Sequence, residues 1–100
     1  MINTKTELLQ LLKSNANTIK SFGVEKLGLF GSFRHDNANS KSDVDFLVDF
    51  VPEKKTYDNL FNLYEFLQEK TGRRVEVLTR QGLSKYIGPH ILKDLENVAL

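Results

Sequence analysis

The chain predicts a small α/β or α+β fold, a β-sheet with helices packed on one of its faces. Two observations predict it. Segments with apolar residues at helical spacing alternate with short apolar runs suited to strands, in the order helix, strand, strand, helix, strand, helix. A chain of 100 residues has room for one hydrophobic core, so residues 1–100 read as a single domain.

Each element has its own signal. Thr4-Lys5-Thr6-Glu7 has the form of a capping box, in which the Thr and Glu side chains each satisfy a free backbone N–H. Leu8, Leu11 and Leu12 follow at helical spacing, which predicts a helix from about Lys5 to Ser21, ended by Gly23. Val24 to Phe30 reads as a strand, and Gly31-Ser32 breaks it. His35 to Ser42 is polar and reads as a loop. Asp43 to Val51 is the clearest strand, with Val44, Phe46 and Val48 on one face and Pro52 as its stop. Asp58 to Lys70 places Leu60, Leu63, Tyr64 and Leu67 on one helical stripe, closed by Thr71-Gly72. Arg73 to Thr79 alternates, with Val75 and Val77 pointing one way and Arg74, Glu76 and Leu78 the other. Gly88-Pro89 suits the start of a short last helix, where proline is tolerated.

Composition narrows the function classes. Fourteen basic and thirteen acidic residues give a formal net charge of +1, which argues against a general nucleic-acid binder. Without cysteine there is no disulfide framework, thiolate metal site or cysteine nucleophile. No apolar run has the length of a membrane span, and Met1-Ile2-Asn3-Thr4-Lys5 lacks the form of a secretory signal, so the expected location is cytoplasmic.

The chemistry concentrates on Asp43-Val44-Asp45. Residues i and i+2 of a strand share a face, roughly 6.6 Å apart. Carboxylates so placed raise each other's pKa unless a cation intervenes, and a hard dication such as Mg²⁺ prefers oxygen ligands. Glu76 on a neighbouring strand is the natural third acid. Three acids can hold two metals roughly 3.5–4 Å apart across a phosphoryl displacement. Upstream, Gly31 allows close backbone approach to a phosphate, Ser32 offers a hydroxyl, and the free N–H groups of a following helical turn would favour an anion. An Asp-x-Asp alone also marks solvated strand ends, and Gly-Ser alone marks ordinary turns; the combined spacing is much more specific than either.

Phe30-Gly31-Ser32-Phe33 followed by Ser42-Asp43-Val44-Asp45-Phe46-Leu47-Val48 resembles the minimal nucleotidyltransferase family of the DNA polymerase β superfamily. The likeness runs from about Leu27 to Leu78, and Ile87-Gly88-Pro89-His90-Ile91-Leu92 is similar to the family's tail. The resemblance implies a mixed sheet with the acids on adjacent strands. It implies transfer of a nucleoside monophosphate, usually from ATP, to an acceptor hydroxyl. It also implies metal ligation by Asp43, Asp45 and Glu76, with Mg²⁺ in one or two sites, and triphosphate contact by Gly31 and Ser32.

Two positions depart from the pattern. Glu76 stands where the family usually has Asp, and this acid is the expected general base, so its extra methylene bears on rate. Arg34-His35-Asp36 replaces an Arg-Gly pair, with Arg34 one place early; either Arg34 or His35 could meet a phosphate, His35 weakly when neutral. No segment is left to form an acceptor-binding domain, so the acceptor must be held by another chain or bring its own contacts. Phe61 and Phe66 flank the Leu60 stripe on opposite sides, either folding over the core edge or meeting a second copy or a partner. The resemblance implies a HEPN-domain partner, with this chain as antitoxin adenylylating a tyrosine of the toxin. The alternative is a catalytically weak module that neutralises its partner by contact alone.

Overall fold

The computed structural model describes all residues, Met1–Leu100. The elements are α1 (Lys5–Ser14), α2 (Ala16–Ser21), β1 (Val24–Phe30), α3 (Gly31–Arg34), β2 (Val44–Phe50), α4 (Tyr57–Thr71), β3 (Val75–Thr79), α5 (Gly88–Asp94) and β4 (Glu96–Val98). The sheet runs β3-β2-β1-β4. β1 is antiparallel to both β2 and β4, while β2 and β3 are parallel, so the sheet is mixed as the resemblance implies.

The capping box forms: Thr4 Oγ1 accepts from the Glu7 N–H at 3.1 Å, and Glu7 Oε1 accepts from the Thr4 N–H at 3.0 Å. The helix it starts does not run unbroken to Ser21. Asn15 interrupts it, and its side-chain amide donates to the Leu11 carbonyl at 2.8 Å, offering that carbonyl a partner outside the helical ladder. The apolar period continues across the break, so Leu8, Leu12 and Ile19 all reach the core. The fourth strand, Glu96–Val98, has no alternating apolar pattern to mark it in the sequence. It is three residues long and is specified by its pairing with β1.

One sheet face carries the core. Leu27 and Leu29 of β1, Val44, Phe46, Val48 and Phe50 of β2, and Val75 of β3 pack against Leu8, Leu12 and Ile19 of α1 and α2 and Leu63 and Leu67 of α4. The long helices therefore cover this face, as expected. The opposite face is left for Asp45, Asp49 and Glu76 by the two-residue alternation of the strands. Beside them it is closed locally by Leu95, whose side chain fills the space a Cβ at Gly28 would take.

Phe66 turns inward onto Phe22, ring centroids 5.6 Å apart, and so follows the core-edge alternative. Phe61 stays 49% exposed and lines an apolar groove of about 190 Å³ with Tyr57, Leu60, Tyr64 and Val77. No helix is long and apolar enough to cross a membrane.

Candidate active site

Strand register assembles the site. Asp45 lies on β2, with Phe30 of β1 opposite it on one side and Glu76 of β3 on the other. β1 ends at Phe30, so the next residue, Gly31, turns directly over Asp45. Its φ of +78° suits glycine, and a Cβ there would collide with the Asp45 carboxylate. The Gly-Ser segment, Asp45 and Glu76 are thereby brought together from three separate stretches of chain. Asp43 stands one residue ahead of β2, close enough for its charge to act on Asp45.

The electrostatics record the crowding. Burial, then the charge of Glu76, a hydrogen bond shared with Glu76 and the charge of Asp43 push the Asp45 carboxyl up to about 6. Glu76 itself is exposed on the edge strand. An all-oxygen donor set whose members repel one another fits a hard dication, which would relieve that repulsion. As the side chains stand, no three His, Cys, Asp or Glu groups converge into a ready-made ligand set. The acids fit Mg²⁺ by chemistry and adjacency, and holding it requires their side chains to turn toward it.

The other expected residues divide. Ser32 belongs to the single helical turn α3, with its hydroxyl free of side-chain hydrogen bonds within the chain. Arg34, from the same turn, is directed to the C-terminal segment: its Nε donates to the Asp94 carbonyl at 3.0 Å and its guanidinium lies 3.5 Å from Glu96. His35 Nε2 meets Asp94 Oδ1 at 2.5 Å.

Two further residues matter to the site without a motif to mark them. Arg73, at the head of the stretch that leads into β3, is only 6% exposed. Its guanidinium donates to the carbonyls of Ile2, Asn39 and Ser42 at 2.6, 2.9 and 3.0 Å and stacks over Phe33. It thus clamps the loop that delivers Asp43. The second is Asp94, on which Arg34 and His35 converge. Neither carries a local sequence signal, because each acts on residues distant along the chain. An open polar depression of about 360 Å³ adjoins Asp43, with Lys41, Ser42 and Arg74 in its wall. A larger one, about 810 Å³, lies along α4 between Glu65 and Arg74 and touches none of the three acids.

The family described as "Nucleotidyltransferase domain" matches residues 7–99. The protein adenylyltransferase MntA of Thermococcus cleftensis is 31% identical over 93 residues, 92% of this chain and 93% of the relative. A solved structure described as a candidate minimal nucleotidyltransferase superposes with a TM-score of 0.70 at 26% identity, covering 88% of this chain and 93% of its own. A chain of the complex between a tri-AMPylated HEPN toxin of Shewanella oneidensis and its MNT antitoxin gives a TM-score of 0.55 at 15% identity over 95% of this chain and 68% of that one, a likeness of fold. With the family match spanning nearly the whole sequence and a relative of 31% identity covering 92% of it, the chain belongs to the minimal nucleotidyltransferases.

Proposed function

We propose that the protein transfers AMP from ATP to a hydroxyl of a partner protein, and that it acts as the antitoxin of a pair whose toxin carries a HEPN domain. The observation that carries this reading is the meeting of Gly31, Asp45 and Glu76 at one place on the sheet. A protein acceptor is supported by the name of the Thermococcus relative, and the partner class by the solved toxin–antitoxin complexes that share the fold, one of them with AMP-PNP. The half-exposed Phe61 and the exposed Tyr57 beside it suit a chain that docks to another.

Asp43, Asp45 and Glu76 would hold Mg²⁺, in one site or two, and the metal would neutralise phosphate charge and acidify the acceptor hydroxyl. The chain's own groups do the rest. Gly31 lets the triphosphate approach the backbone, and the free Ser32 hydroxyl donates to its β- or γ-phosphate. Arg34 borders this cradle and reaches the phosphates only by leaving Asp94 and Glu96. Glu76, on the exposed edge strand, takes the proton of the acceptor hydroxyl. The acceptor oxygen bonds to the α-phosphorus, the bond from that phosphorus to the bridging oxygen breaks, and pyrophosphate leaves with the electron pair.

The test is intact-mass analysis of the co-purified partner after incubation with ATP and Mg²⁺. The expected result is addition of one or more AMP units by the wild type and none by the Asp43→Asn/Asp45→Asn double variant. An unmodified partner that both proteins bind equally well would leave neutralisation by contact alone.

A further inference from the structure

We propose that Asp94 is a positioning residue for the nucleotide cradle, tying the Gly31–Arg34 turn to the C-terminal segment and so setting where Ser32 meets the phosphates. The inference rests on the assignment of Gly31-Ser32 to the triphosphate.

The geometry comes from the sheet. In the β1–β4 ladder Leu29 faces Glu96. The ladder ends at that pair, and α5 ends two residues before it, at Asp94. There the side chain of Asp94 takes over from the backbone ladder: its Oδ2 accepts from the Gly31 N–H at 3.2 Å. Its other carboxylate oxygen meets His35 Nε2 at 2.5 Å, and its backbone carbonyl accepts from Arg34 Nε at 3.0 Å. Both ends of the turn are therefore pinned to one residue from another element. Glu96, two residues on, adds Lys5 at 2.9 Å and Arg34 at 3.5 Å, fastening the same corner to α1.

The turn needs such a fastening. Four residues cannot hold helical geometry alone, because a first turn costs more conformational entropy than its hydrogen bonds return. α3 has no side-chain N-cap. Burial would raise the Asp94 carboxyl, but the Gly31 N–H, His35 and Arg34 outweigh it and hold the group below the usual carboxylate range, so it is ionised at neutral pH. Charge-assisted hydrogen bonds of this kind are the stronger class.

Steady-state kinetics with ATP as varied substrate, together with amide hydrogen exchange over residues 31–35, test the proposal on wild type, Asp94→Ala and Asp94→Asn. Asp94→Ala should raise KM for ATP about tenfold while kcat changes by less than about threefold, since misplacing a binding group by ~1 Å has effects of that order or larger. The amides of residues 31–35 should exchange faster. Asp94→Asn keeps one acceptor oxygen but not the charge, and should fall between; it carries the test should the alanine variant not fold. An unchanged KM with unchanged exchange would overturn the proposal. So would a lowered KM, because the carboxylate would then compete with the phosphates rather than hold their donor. A wild type that binds no ATP would instead defeat the nucleotidyltransferase reading itself.

Discussion

Asp45 carries the strain of the site. Its carboxyl, ordinarily near 3.8, is raised to about 6 by burial, Glu76 and Asp43. The folded protein then holds a proton there that the unfolded chain has released. The resulting stability is complete below the unfolded value of 3.8 and is lost as pH rises through about 6. Asp45→Asn should therefore raise unfolding stability in EDTA by about 1 kcal/mol at pH 7.5, the full shift being reduced because the group is partly exposed. At pH 3.5 it should gain nothing, and denaturant melts at the two values check this. Gly31→Ala should fail differently. It places a Cβ against the Asp45 carboxylate at a positive φ, costing about 1–3 kcal/mol and abolishing transfer, read by thermal melts and product assay. Asp43, Asp45, Gly31 and Ser32 were legible in the sequence because each belongs to a local pattern. Glu76 was legible because alternation about Val75 and Val77 set its face. Asp94 was not, since its partners Gly31 and His35 lie about sixty residues upstream.

The elements were legible where period and caps agreed. α4 ends at a Gly72 with φ +68°, whose N–H bonds to the Gln68 carbonyl at 3.1 Å. β2 ends just before the Val51-Pro52 step. The break at Asn15 was hidden because the leucine period runs through it, and β4 was hidden because three residues with Asn97 at their centre show no alternation. Arg73 is the element-scale device the sequence concealed. It joins the N-terminus, the 39–42 loop and the start of β3 through a buried guanidinium. Lysine cannot reproduce that planar fork. Arg73→Lys should cost about 2–4 kcal/mol in chemical denaturation, given several charged hydrogen bonds lost or weakened at once. It should also lower transfer activity, because the loop it holds positions Asp43.

At the scale of the molecule, the sheet divides its labour between faces. One face packs against α1, α2 and α4, and the other presents the acids beside the Gly-Ser turn. That division was readable from the alternation of β2 and β3; the mixed character of the sheet followed from the family likeness. With its core on one face, the chain should unfold as one cooperative unit, and ligand should stabilise all of it. Mg²⁺-ATP at a hundred times its Kd should add about 2.7 kcal/mol. Most of that gain should vanish with EDTA or in Asp43→Asn/Asp45→Asn, as differential scanning fluorimetry would record. A gain that survives both changes would place nucleotide binding away from the acids.

The most direct measurement follows the α-phosphate. Wild-type protein, its co-purified partner and Mg²⁺ are incubated in parallel with ATP labelled at the α- or the γ-phosphorus, and the partner is resolved and counted. The account predicts that α-label becomes covalently attached to the partner, that γ-label does not, and that the Asp43→Asn/Asp45→Asn variant transfers neither. Attachment of γ-label, or α-label transfer undiminished in that variant, would contradict it.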